Sequence, residues 1–134
     1  MKKLKFSTED SKFGLTEATG FLWSTKKGIH VEYQVKDTII EAYKTEVTEV
    51  FIPYSVIQDV EYKSAWFSGG DIEVSLNTLK GYSDLPFLEE TELVFSLDSR
   101  KHKNSAKEFV VNAKLENVHS TLDDLESQEF DHLG

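Results

Sequence analysis

The chain has 134 residues, a length that fits one domain able to bury about two-thirds of its unfolded surface. It holds no cysteine, which excludes disulfides and thiolate zinc sites, and its 39% apolar and 12% aromatic residues suffice for a core and argue against whole-chain disorder. Its 24 acids outnumber 15 Lys and Arg to give a net charge of −9, which disfavours nucleic acid and anionic membranes as partners.

The N-terminus reads Met1-Lys2-Lys3-Leu4-Lys5-Phe6 and then turns polar and acidic with Ser7-Thr8-Glu9-Asp10. No apolar stretch follows the lysines, so no secretion signal is expected, and a cytosolic location is the default for a cysteine-free chain. Residues 1–16 read as an arm or an extra strand, with Phe6, Phe13 and Leu15 available to pack.

From about residue 18 the chain alternates apolar and polar residues with period two, the signature of half-buried strands. Ala18 to Thr25 is the first, followed by a Lys26-Lys27-Gly28 turn. Ile29, Val31, Tyr33 and Val35 then share one face, with His30, Glu32, Gln34 and Lys36 on the other. Thr38–Tyr43 and Val47–Ile52 are two shorter candidates, the second closed by Pro53, which cannot donate to a ladder. Ser55–Phe67 is the longest alternating run and sets Val56, Val60, Tyr62 and Trp66 on one face, with Asp59, Glu61, Lys63 and Phe67 on the other. Ser68-Gly69-Gly70 predicts a hairpin. Ile72, Val74 and Leu76 face inward next, Lys80–Glu90 reads as a loop, and Thr91, Leu93, Phe95 and Leu97 line a last strand.

The period then changes. Ser105-Ala106-Lys107-Glu108 has the form of a capping box, and Ala106, Phe109, Val110 and Ala113 follow at helical spacing. A second stripe, Val111, Leu115, Val118, Leu122 and Leu125, has the four–three spacing of a coiled-coil seam. Against an unbroken helix, Ser120-Thr121 before Asp123-Asp124 resembles a fresh N-cap and predicts a break near His119. After Lys114 there is no Lys or Arg, so residues 119–134 form an acidic tail, partly helical or mobile. About seven strands and then one helix exclude a βαβ sheet and favour an antiparallel barrel or sandwich.

Four segments in this order carry a resemblance: Phe51-Ile52-Pro53-Tyr54-Ser55-Val56-Ile57-Gln58-Asp59-Val60, Trp66-Phe67-Ser68-Gly69-Gly70, Asp84-Leu85-Pro86, and Ala106-Lys107-Glu108-Phe109-Val110. Together they resemble bacterial pleckstrin-homology-like (PH-like) proteins over roughly residues 17–118. The resemblance implies a mainly β fold, a PH-like antiparallel barrel or sandwich of about seven strands capped by one C-terminal helix. Function is implied less closely, because such barrels bind inositol lipids, peptides, proteins or one another, and fold does not transfer activity.

Sites of chemistry are few. His30, His102, His119 and His132 form no metal-binding spacing, and no nucleophile elbow or phosphate loop is present. Adjacent acids such as Glu89-Glu90 and Asp123-Asp124 are surface patterns, not a catalytic pair across a cleft. No catalytic residue, metal or cofactor is expected. Lipid-binding members use basic residues around the first hairpin; here Lys26 and Lys27 stand there, and the only arginine is Arg100.

The leading expectation is a non-enzymatic module acting through protein contact or as a homo-oligomer. Its candidate surfaces are the Trp66, Phe67, Gly69 and Gly70 tip and the helix stripe Val111, Leu115, Val118 and Leu122. The alternatives are a weak phosphoinositide or anionic-lipid module using Lys26 and Lys27, and an uncatalogued small enzyme. Phe67 has its own alternative, since a bulge before the glycines would return it to the core.

Overall fold

The computed structural model describes residues 2–9, 16–37, 46–66 and 68–133. Strands β1 (Leu4–Glu9), β2 (Thr16–Ser24), β3 (Gly28–Asp37) and β4 (Thr48–Pro53) form one antiparallel sheet in sequence order. Strands β5 (Ile57–Lys63), β6 (Gly70–Leu76), β7 (Leu88–Glu89) and β8 (Glu92–Leu97) form a second, in the order β5-β6-β8-β7. Among the described residues one α-helix, α1 (Lys103–Leu133), follows the strands. The described residues are therefore mainly β, with two four-stranded sheets and a C-terminal helix. Among the described residues no strand ladder joins the sheets into a closed barrel.

The period-two pattern places the core. Register pairs Leu22 with Val31 and Ile29 with Ile52, so every second residue of the first sheet points the same way. Leu4, Phe6, Leu22, Ile29, Val31 and Ile52 are buried there against Ile72, Val74, Leu93, Phe95 and Leu97 of the second sheet. Phe6 meets Phe87 and Phe95 edge-on, with ring centroids 5.7 and 5.0 Å apart. Aromatic pairs of this geometry are worth about 0.5–1.5 kcal/mol beyond the area they bury. Residues Leu4–Glu9 are thus a full strand of the sheet, and Phe6 lies at the centre of the core.

Several expectations are corrected. The described residues contain eight strands: six of the seven expected, with β1 and the two-residue β7 added. The run from Ser55 does not begin as a strand: Tyr54–Val56 is one turn of 3₁₀-helix, and the β5–β6 register shifts between Ile57 and Asp59. This bulge turns both Ile57 and Val60 inward at a spacing of three, which strict alternation forbids. Trp66 was expected beside Val60 and Tyr62; the strand ends at Lys63, and Trp66 is 81% exposed. The expected strand Thr38–Tyr43 lies outside the described residues, as do Phe13, Leu15 and Phe67.

The helix differs at both ends from its sequence signals. Its entry is a 3₁₀ turn, Arg100–His102, whose cap is Ser99: the Ser99 hydroxyl accepts from the Lys101 amide at 3.3 Å. Ser105 therefore lies inside α1 instead of starting it. No break occurs near His119. The Thr121 hydroxyl donates to the Asn117 carbonyl at 3.0 Å, one turn back, so its polar group is satisfied without ending the helix. The helix runs through residue 118 for 31 residues, about 46 Å.

Candidate protein-contact surface

Two faces of α1 have different fates. Ala106, Phe109, Val110 and Ala113 are buried and close the gap between the sheets, most closely along β5. Near the middle of the helix, Lys114 Nζ reaches Asp59 of β5 at 4.0 Å. The second stripe points the other way. At 3.6 residues per turn its mean direction lies about 150° around the helix from the buried set. Val111, Leu115, Val118, Leu122 and Leu125 are each between 51% and 58% exposed. From Thr121 to Glu126 every residue is exposed, so this part of α1 extends past the core. Five aliphatic side chains in one line, open to water, are a contiguous apolar strip of the kind that marks contact sites.

The Trp66 tip divides. Trp66 is exposed, whereas Gly69 and Gly70 are buried. A side chain at Gly69 would strike the Ser99 carbonyl, and one at Gly70 would strike the Lys63 carbonyl. Gly70 also holds φ at +82°, in the left-handed region. Its neighbour Gly69 accepts a hydrogen bond from the Tyr62 hydroxyl at 2.6 Å and donates its amide to the Leu97 carbonyl at 2.9 Å. These glycines build the turn and present no side chain to a partner.

Lys26 and Lys27 are exposed at the β2–β3 hairpin tip. The tip is pinned from below, with the Tyr54 hydroxyl donating to the Thr25 carbonyl at 2.6 Å. Burial pushes the Tyr54 phenol up to about 12, and the nearby Glu116 charge adds to the rise. The two lysines do not face open solvent alone. They line a groove shared with Glu116, Asp123 and Asp124 of α1. An anionic headgroup approaching the lysines meets three carboxylates, which offset the attraction.

One surface was not visible in the sequence. On the outer face of the first sheet, Trp23, His30 and Phe51 form a row across β2, β3 and β4, extended by Lys3, the residue before β1. Lys3 Nζ stands 4.3 Å from the centre of the Trp23 ring, and Trp23 stacks on His30 at 5.3 Å and 7°. His30 continues to Phe51 at 4.8 Å, and its Nε2 lies 3.2 Å from the Thr25 hydroxyl. The pleat already set His30 outward, but the row appears only once register sets Trp23 and Phe51 on either side of it. The rings spend their faces on one another, so the row reinforces the sheet. Among the described residues, no three His, Asp or Glu side chains are placed to hold a metal ion, and no helix is long and apolar enough to cross a membrane. No family model, curated protein or solved structure matches the chain.

Proposed function

We propose that this chain is a non-enzymatic, cytoplasmic binding module of the PH-like type that works by protein contact through the outer face of α1. One observation carries the reading: an unbroken helix displays five half-exposed aliphatic residues opposite its own buried face. Fully burying one such side chain is worth about 1.5–3 kcal/mol. Completing the burial of five that are already half covered adds about 4–8 kcal/mol from this chain. Association costs about 4–15 kcal/mol, so a partner that brings an apolar stripe of its own is favoured. The element order of strands followed by one helix supports the PH-like assignment, and the carboxylates around Lys26 and Lys27 weigh against the lipid alternative.

The test replaces Leu115 and Leu122 together by Asp. Both are on the open face, so the fold should persist, read as an unchanged circular dichroism spectrum and a melting midpoint within a few degrees. The wild type should show a solution mass above that of one chain, or retain a partner from native cytosol, and the double variant should lose both. A wild type that is monomeric and retains nothing removes the reading.

A further inference from the structure

One cluster of bases in this acidic chain has no counter-charge. Residues 100–107 hold four of the chain's 15 Lys and Arg, namely Arg100, Lys101, Lys103 and Lys107, and no acid. The ion pairs of the described residues are Lys3–Glu32, Lys63–Glu73 and Lys114–Asp59, and none of the four bases takes part in them. The fold gains nothing from cations at this place. The helix dipole disfavours them, no acid stands in the first turn of α1, and Lys103 and Lys107 are a like-charge pair four residues apart. A bound anion relieves that cost.

The cluster borders a hollow. Tyr62, Ser64, Ala65 and Ser68, from the end of β5 and the turn after it, line a space of about 350 Å³ together with Arg100 and Lys103. That volume is at the small end of ligand pockets, roughly 300–1,000 Å³, and takes a phosphate with a short group attached. Arg100 brings a planar fork of N–H donors that matches phosphate oxygens, and Lys103 adds a point charge. The Ser68 hydroxyl accepts from the Gly70 amide at 3.2 Å, which leaves its own proton to donate. The Ser64 hydroxyl has no partner among the described residues. The Tyr62 hydroxyl is committed to the Gly69 carbonyl and holds the turn in place. Backbone amides contribute nothing: those of Lys101 and His102 are spent on Ser99, and that of Lys103 on the Arg100 carbonyl. The lining holds no carboxylate, in contrast to the Lys26 and Lys27 groove, where three acids oppose an anion.

We propose that this hollow binds the phosphate group of a small, soluble phosphate monoester, with Arg100 and Lys103 as its clamp. Such a group has a second pKa of about 6 and is a dianion at neutral pH, which matches two cations. The net charge of −9 repels an anionic surface or polymer, which meets the whole molecule. A small ion feels chiefly the charges within a Debye length, about 8 Å at physiological salt, and here those lining the hollow are cations. The site shares no residue with the outer stripe of α1, so it and the protein-contact reading stand or fall separately.

Arg100 is the chain's only arginine, so its Nε–H gives a single side-chain signal in a proton–nitrogen correlation spectrum of the full chain. Titration with glycerol 3-phosphate should shift that signal saturably, with half-saturation at about 1 mM or below. Sodium chloride at matched ionic strength should not shift it. Arg100 and Lys103 are both exposed, so Arg100→Gln with Lys103→Gln should leave the melting midpoint without ligand unchanged. By calorimetry that variant should bind glycerol 3-phosphate at least about tenfold more weakly, since both charge-assisted contacts are gone. Lys26→Gln with Lys27→Gln should bind it as the wild type does. No shift up to about 20 mM overturns the proposal. So does an equal shift with chloride, or a double variant at Arg100 and Lys103 that binds like the wild type. Vesicles containing phosphatidic acid present the same phosphate monoester on a lipid. Sedimentation of the wild type with them, abolished by Arg100→Gln with Lys103→Gln, assigns the site to a membrane headgroup and overturns the soluble carrier.

Discussion

At the scale of single residues, Tyr54 and Gly70 are the two positions whose chemistry reaches furthest into the fold. Tyr54 is 3% exposed and ties the 3₁₀ turn to the β2–β3 hairpin through its hydroxyl. Its ionisation is raised from 10.0 to about 12, mainly by burial and then by the Glu116 charge, so the folded state favours the neutral phenol. Below pH 10 both states hold the proton and the contribution is complete. Between pH 10 and 12 the unfolded chain ionises first, and stability falls across that window. Tyr33 and Tyr82 are raised in the same direction by burial. Denaturant midpoints at pH 8 and pH 11 should therefore differ, and Tyr54→Phe should shrink the difference. At pH 8 the same substitution costs about 1 kcal/mol for the lost hydrogen bond. Gly70→Ala faces a different obstacle, a positive φ and the Lys63 carbonyl together. Its expected cost is about 1–3 kcal/mol, read as a lower denaturant midpoint at unchanged slope.

At the scale of elements, the strands were legible because their alternation is a direct image of the pleat. Ile72, Val74 and Leu76 were expected to face inward, and they do. What escaped were features that alternation cannot encode. The bulge at Ile57–Asp59 adds one residue and lets two inward residues stand three apart. The outer row from Lys3 to Phe51 depends on register between strands far apart in sequence. The helix boundary misled for a different reason. Ser, Thr and Asp mark caps because they can bond backbone donors, yet on an exposed helix face they can equally bond backward or stay solvated. Thr121 takes the backward bond. Of the candidate contact residues, the helix stripe was legible from its four–three spacing alone, while the burial of Gly69 and Gly70 required knowing what packs above them. The two faces of α1 should respond unequally to truncation. Phe109→Ala opens a cavity between the sheets and should cost about 3–5 kcal/mol in a denaturant melt. Leu122→Ala, measured on dilute protein, should fall within about 0.5 kcal/mol of the wild type. Comparable losses at the two sites would mean that the second stripe is covered within its own chain.

At the scale of the whole molecule, electrostatics separates the protein-contact reading from the lipid one. The net charge of −9 repels an anionic membrane at long range, and contact would have to come from Lys26 and Lys27. Each lysine near such a surface contributes about 1 kcal/mol, so the pair offers about 2 kcal/mol before any opposing charge is considered. Glu116, Asp123 and Asp124 share their groove and oppose it. Vesicles containing 30% phosphatidylserine should therefore fail to sediment the wild type at about 0.1 M salt, where the Debye length is about 10 Å. Neutralising the groove by Glu116→Gln, Asp123→Asn and Asp124→Asn should raise the bound fraction, because the lysines then act unopposed. Adding Lys26→Glu and Lys27→Glu to that triple variant should abolish the gain. If the wild type itself sediments, and loses this on Lys26→Glu with Lys27→Glu, then the hairpin tip is the working surface. The open face of α1 would then need a role other than the one proposed for it.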